Sequence, residues 1–205
     1  MSVFSVLTLG CQGGTPGTTG GQGEGGGAKT YDLLGQREVS FVAPGAPWVE
    51  KVQTVGEEEA ELGMSADTVV GVTFRKGDTD GLIAVAALGQ QKDESGKFIE
   101  LENDQETLNQ IAMWVVKREG KISEQEYVQV DGVNAFRMVF EIENGENKEK
   151  GEQVHFTKDG FHYTLSILVP TSEFGGEVKN FRNLVESFKI VASKDASTAS
   201  PAASP

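Results

Sequence analysis

Two histidines, His155 and His162, are the residues of this 205-residue chain best placed to bind a metal ion, and they are its only histidines. They fall in two β-rich runs, residues 152–158 and 161–169, joined by Asp159-Gly160, the preferred pair for a two-residue type I′ turn. In that hairpin the histidines occupy diagonal positions on one face, about 7 to 8 Å apart at the backbone. A closed zinc site needs four ligands, and no Asp, Glu or Cys on these strands obviously joins the pair. The favoured interpretation is therefore two surface or half-buried histidines that form hydrogen bonds, and we predict no metal; a metal bound by His155 and His162 is the alternative.

The opposite face of the same hairpin predicts its register. With a two-residue loop, Phe156 lies opposite Tyr163 and Val154 lies opposite Leu165, which makes that face continuously apolar. A slip of one residue would turn these side chains to the other face. The turn and the hydrophobic pattern therefore indicate one pairing.

Motifs with catalytic spacing are absent: the chain lacks H-E-x-x-H, C-x-x-C, G-x-S-x-G and a Walker sequence. Residues 21–26 match G-x-G-x-x-G, but they neither follow a strand nor open a helix, as pyrophosphate binding requires. The contiguous Glu57, Glu58, Glu59 and Glu61 lack the separation across a cleft that acid/base pairs need. They predict a solvated acidic stretch, with weak calcium association as the alternative. We therefore predict no catalytic residue and no cofactor.

Trp48 follows Pro44 and Pro47 at the start of a predicted strand. An aromatic side chain in this place could contact a partner protein, so Trp48 is a candidate interaction residue. Large aromatic side chains are also highly buried on average, and a core position is the favoured alternative.

The single cysteine, Cys11, follows a short apolar run at residues 3–10 and precedes a glycine-rich stretch. A lone cysteine in an exported chain calls for an explanation, and Leu7-Thr8-Leu9-Gly10-Cys11 resembles the lipobox of bacterial lipoproteins. The resemblance implies that Cys11 is lipid-modified and becomes the first residue of the mature protein. Signals of this kind begin with basic residues; none precedes this run, which suggests that residues 1–11 are the remnant of a longer signal. A disordered N-terminus with a free thiol is the alternative.

Composition divides the remainder of the chain. Residues 12–29 are dominated by glycine and predict a flexible tether with an r.m.s. span of about 23 Å. Residues 193–205, rich in Ser, Ala and Pro, predict a disordered tail, which leaves residues 30–192 as one domain. The formal net charge of −13 opposes binding to nucleic acid or anionic lipid. Attachment to a membrane would therefore come from acyl chains on Cys11.

Strand and helix patterns alternate within the domain. Strands are predicted at residues 38–42, 48–55, 68–76, 82–88, 127–130 and 135–143, in addition to the hairpin strands. Residues 104–119 have helical period with matching end signals. A final helix is predicted at 173–188, where Phe174, Val178, Phe181, Val185 and Phe188 form one apolar stripe, which is typical of core packing.

Several of these segments resemble the PsbP/Mog-like domains. They are Gly132-Val133-Asn134-Ala135, the hairpin at 160–165, the ending at 181–189 with Glu186-Ser187-Phe188, and Val39-Ser40-Phe41 followed by Pro47-Trp48. The resemblance covers most of residues 36–191. It implies an α+β fold, an α/β/α sandwich in which an antiparallel sheet is flanked by helices. Members include bacterial envelope lipoproteins of the DcrB type and mostly bind or assist other proteins, so the fold alone does not choose a role.

Two functions remain. The favoured one is a lipid-anchored, non-catalytic protein of the bacterial cell envelope, whose domain faces the periplasm or the exterior and binds an envelope protein partner as an interaction or assembly module. The alternative is an envelope enzyme, or a small-ligand or metal-binding protein, that uses a pocket beside the sheet. Only the face with His155 and His162 supports the alternative.

Overall fold

The computed structural model describes residues 26–35, 37–55, 68–77, 79, 81–89, 115, 117, 120–144 and 147–191. Ten strands and one helix have their bounds within these ranges. The strands are β1 (Ala28–Leu33), β2 (Arg37–Val42), β3 (Trp48–Thr54), β4 (Val69–Lys76), β5 (Leu82–Gly89), β6 (Lys121–Val130), β7 (Val133–Asn144), β8 (Asn147–Lys158), β9 (Phe161–Pro170) and β10 (Lys189–Val191). The helix, α1 (Phe174–Ser187), lies between β9 and β10.

The described strands form two antiparallel sheets. The larger sheet has seven strands in the order β3-β4-β5-β9-β8-β7-β6, and the smaller has three in the order β1-β2-β10. Within the large sheet, β3, β4 and β5 are neighbours in the order of the sequence, and so are β6, β7, β8 and β9. The exception lies between β5 and β6: β6 is at the far edge of the sheet, and β9 pairs with β5.

Tight turns set the register of the β6–β7 and β8–β9 hairpins. Asp159 and Gly160 both have positive φ, as do the two residues of the equivalent turn at 131–132. Type I′ turns require positive φ at both central positions. The resulting pairing places Phe156 opposite Tyr163, so the register predicted for the β8–β9 hairpin is confirmed.

One face of the large sheet, called here the first face, packs against α1 and the small sheet. Phe188, which follows α1, stacks on Phe41 of β2 with ring centroids 6.2 Å apart. The same ring meets Phe156 and Tyr163 edge-on at 5.6 and 5.9 Å. Aromatic pairs at these distances add to the stability that burial provides. The helix, the small sheet and the large sheet therefore share one core.

The opposite face of the large sheet, the second face, has an apolar half on β7 and a polar half on β8 and β9. The apolar half consists of the buried β7 residues Phe136, Met138, Phe140 and Ile142. Val115, which is helical and fully buried, packs against them. Apart from Val115 and Lys117, the helix predicted at 104–119 lies outside the described residues.

The predicted fold class, an α/β/α sandwich with an antiparallel sheet flanked by helices, is wrong. The described residues form a sheet-dominated antiparallel fold, in which α1 is the only helix with complete bounds. One physical reason is that β2 pairs with β1 and β10. A second sheet therefore covers part of the first face, where the prediction placed a layer of helices.

A second reason is the length of the strands. The charged segment at 144–151 predicts a connection, yet β7 continues to Asn144 and β8 starts at Asn147. Its charges face their opposites across the hairpin: Lys150 pairs with Glu141 at 3.0 Å and Lys148 with Glu143 at 3.1 Å. Because opposite charges on adjacent strands stabilise pairing, the charged run extends the sheet.

Within the described residues, no helix is both long and apolar enough to cross a bilayer.

Candidate functional site

The two histidines of the β8–β9 hairpin meet on the second face. In the register, His155 lies opposite Thr164 and His162 lies opposite Thr157, which is the predicted diagonal arrangement. The two side chains contact each other across the strand pair, because Nδ1 of His155 is 3.3 Å from Nε2 of His162. The ring centroids are 5.5 Å apart. The structure therefore brings the two predicted candidate ligands into direct contact.

Gln153, two residues before His155 on β8, orients the His155 ring. Its Oε1, which only accepts hydrogen bonds, is 3.1 Å from Nε2 of His155. In the neutral ring Nε2 is therefore the protonated nitrogen, and Nδ1 carries the lone pair. That lone pair faces Nε2 of His162 and also the hydroxyl of Thr164 at 3.3 Å. The sequence pattern does not indicate this role for Gln153.

Both imidazoles are neutral at physiological pH. Burial lowers the pKa of His155 to about 3, and the nearby His162 lowers it in the same direction. Burial also lowers the pKa of His162 to about 4. The neighbouring strands contribute to this burial: Phe136 of β7 lies opposite His155, and Ala86 of β5 lies opposite Thr164. Neutral imidazoles can act as hydrogen-bond partners or as metal ligands.

Trp48 lies in the core of the first face, at the start of β3. Its indole N–H donates a hydrogen bond to Oε2 of Glu177 on α1, at 3.1 Å. Lys76, at the end of β4, pairs with Glu177 at 2.8 Å and with Glu173 at 2.7 Å. Trp48 therefore helps to attach the start of α1 to the sheet.

Cys11 and the acidic residues 57–61 lie outside the described residues.

A buried ion-pair cluster on the first face is a feature that the sequence analysis missed. Glu152 of β8 is 1% exposed and pairs with Arg137 of β7 at 2.9 Å and Arg182 of α1 at 2.8 Å. Burial raises the pKa of Glu152, but the hydrogen bonds from both guanidinium groups outweigh burial, and the net effect is a lowered pKa. Glu152 lies two and four positions before the apolar Val154 and Phe156 on the same strand. That spacing indicates that the side chain of Glu152 points to the same buried face.

Comparisons with known proteins give one family and several structures. A family model described as PsbP-like protein matches residues 53–190. The solution structure of cyanobacterial PsbP (CyanoP) from Synechocystis is similar with a TM-score of 0.52 and 16% identity, over 85% of this chain and 98% of that one. LpqN, involved in cell envelope biogenesis of Mycobacterium tuberculosis, is similar with a TM-score of 0.42 and 10% identity, over 76% of this chain and 92% of that one. No curated protein matches this sequence.

Proposed function

This chain belongs to the PsbP-like protein family, and we propose that it is a lipid-anchored, non-catalytic protein of the bacterial cell envelope whose domain is an interaction or assembly module. The observation that carries the proposal is the order of the parts. Cys11 follows an apolar run, a glycine-rich segment follows Cys11, and β1 of the folded domain begins at Ala28. A cysteine in that place serves as an anchor, and the glycine-rich segment serves as a tether.

The physics of membrane attachment agrees with acylation at Cys11. Each buried methylene contributes about 0.8 kcal/mol, and stable attachment needs more than one acyl chain or a second signal. A basic patch is a poor second signal for a chain with a net charge of −13. The several acyl chains of bacterial lipoproteins would meet the requirement, and the tether would hold the domain about 23 Å from the surface.

The charged clusters of the described residues support a non-catalytic role. Glu152 joins β8 to β7 and α1. Asp131, in the β6–β7 turn, accepts hydrogen bonds from Lys158 at 2.8 Å and from the backbone N–H of Ile190 at 3.1 Å. Glu177 joins α1 to Trp48 and β4. Each of these carboxylates is engaged in holding two or more elements together.

The edge strand β3 is the surface that best suits a protein partner. Among the described residues it is one of the two edge strands of the large sheet, and β6 is the other. Val49 is 65% exposed and Val52 is 41% exposed, and because they are separated by an odd number of positions they lie on opposite faces. An extended segment of a partner that added to this edge would contact both valines, while its backbone would pair with β3. We assign this edge to an extended segment of an envelope protein.

Substituting Val49 tests this assignment. Val49→Lys is expected to reduce the amount of partner recovered with the full-length protein from crosslinked envelope extracts by at least about tenfold, equivalent to about 1.4 kcal/mol. We expect this reduction because the charge of the lysine would lie beside the added strand of the partner. Because Val49 is exposed, the free energy of unfolding should change by no more than about 0.5 kcal/mol. Quantitative mass spectrometry of the recovered proteins gives the measurement.

Val191→Lys is the matched control, because Val191 is also exposed, at 39%, but lies on β10 of the small sheet. It adds the same charge and should leave recovery of the partner unchanged. Failure to recover any reproducible partner, or equal recovery with both variants, would contradict the assignment.

The second candidate function, a receptor for a small ligand or metal, is favoured by one observation, the contact between His155 and His162.

A further inference from the structure

We propose that His155 and His162 together bind one divalent transition-metal ion of the zinc and copper class, in an open site on the second face of the large sheet. The two imidazoles supply the protein ligands through Nδ1 of His155 and Nε2 of His162. This site is separate from the β3 edge and does not depend on the partner-binding function.

The distance between the two nitrogens suits chelation. At 3.3 Å the two nitrogens are at the long end of hydrogen-bonding distance. Two imidazole nitrogens bound to one zinc at about 2.0–2.1 Å, with a tetrahedral angle between them, lie about 3.3–3.4 Å apart. The separation of the two nitrogens is therefore close to the one that a single tetrahedral zinc ion requires.

The surroundings of His155 are those of a metal ligand. Histidines that bind metals nearly always donate their other ring N–H to an oxygen, which fixes the tautomer and the ring orientation. Gln153 provides that oxygen at 3.1 Å from Nε2, and leaves the Nδ1 lone pair directed toward His162. When a metal binds, the proton on Nε2 of His162 is exchanged through solvent to Nδ1, so both rings stay neutral.

The ligand set determines the class of metal and the type of site. Imidazole suits zinc, copper and nickel, whereas calcium and magnesium prefer oxygen ligands. Among the described residues no group of three or more His, Cys, Asp or Glu converges, and the hydroxyl of Thr164 lies 3.3 Å from Nδ1 of His155. In the proposed site, water or a carboxylate of a small ligand completes the coordination. Sites that retain such exchangeable positions bind ligands or activate water, unlike closed structural sites.

Titration of the full-length chain with ZnCl₂ and with CuCl₂ at neutral pH, followed by calorimetry, tests the site. We expect one ion per chain, with copper bound more tightly than zinc, as the general order of affinities requires. His155→Gln and His162→Gln should each weaken binding at least about tenfold, and Gln153→Leu should weaken it by about 10- to 100-fold. Ser166→Ala, on the same face of β9, is the matched control and should bind like the wild type. Val49→Lys should also bind normally, which separates this site from the β3 edge.

A wild type that binds neither metal would overturn the proposal. Binding that is unchanged in the His155→Gln/His162→Gln double variant would also overturn it, because the ion would then bind elsewhere on this acidic chain. If a variant does not fold, ¹⁵N NMR of the wild-type imidazoles decides the question. Zinc must shift the resonances of Nδ1 of His155 and Nε2 of His162; unchanged resonances at saturating zinc contradict the site.

Discussion

Replacing Phe181 with alanine is expected to lower the free energy of unfolding by about 3 to 5 kcal/mol. Phe181 is fully buried on α1, in the core where the helix contacts β2, β8 and β9. The substitution loses the transfer free energy of the aromatic ring and leaves a cavity in the core that α1 shares with the two sheets. Urea denaturation monitored by circular dichroism would measure the change.

Asn183→Ala is the matched control for Phe181, because Asn183 is exposed on the same helix. It should change the free energy of unfolding by no more than about 0.5 kcal/mol. A loss below about 1 kcal/mol for Phe181→Ala is far less than the cost of removing a buried phenylalanine. That result would contradict the packing of α1 against the first face.

Glu152→Gln is expected to cost about 3 kcal/mol of stability, near the lower end of the range for breaking a buried ion pair. The substitution keeps the shape of the side chain but leaves Arg137 and Arg182 without their shared carboxylate. Arg137 keeps its exposed partners Glu124 and Glu126, which limits the loss. Denaturant unfolding at pH 7 would measure it.

Glu141→Gln provides the comparison for Glu152. Its side chain is 48% exposed and pairs with Lys150 at 3.0 Å, and exposed pairs of this kind contribute no more than about 1 kcal/mol. Equal losses for Glu152→Gln and Glu141→Gln would show that burial of the Glu152 cluster has no energetic consequence. That outcome would contradict the structure of the first face.

The contribution of Glu152 to the free energy of unfolding is expected to decrease at low pH. The carboxylate has a lower pKa in the folded chain than its ordinary value of 4.5, so the unfolded chain binds its proton first as the pH falls. Its contribution to stability is complete above the ordinary pKa and is lost as the pH falls through the folded pKa. The difference in stability between the wild type and Glu152→Gln should therefore shrink below about pH 4.5.

The β8–β9 hairpin was predictable because its determinants are local. Asp159-Gly160 specifies the turn, and the alternation around Phe156 specifies the face. β10 was missed because its three residues are too few to show a period of two. β1 was missed because it begins at Ala28, at the end of a glycine-rich segment. Both strands depend on pairing with β2, and β10 is distant from β2 in the sequence. The fold class was wrong mainly for this reason.

The candidate site was predictable in outline but not in detail. Strand alternation places His155 and His162 on one face, because that depends only on register. The 3.3 Å contact between their rings and the hydrogen bond that His155 donates to Gln153 depend on side-chain rotamers, which a sequence pattern does not specify. The partners of Glu152 were hidden for a similar reason, since Arg137 and Arg182 come from a different strand and from the helix.

Membership of the PsbP-like family narrows the fold without choosing a role. The choice of a tethered interaction module depends on Cys11, the glycine-rich segment and the exposed edge of β3. The metal site proposed at His155 and His162 would add a ligand-binding capacity on a different surface.

Intact mass spectrometry of the native protein, purified from membranes without prior reduction or proteolysis, tests the lipid anchor most directly. We expect a chain that begins at Cys11, has lost residues 1–10 and carries the added mass of acyl chains. A Cys11→Ala variant should lack the acyl mass and leave the membrane fraction. An unmodified native chain that retains Met1 and a free Cys11 thiol would contradict the anchor, and with it the assignment to the cell envelope.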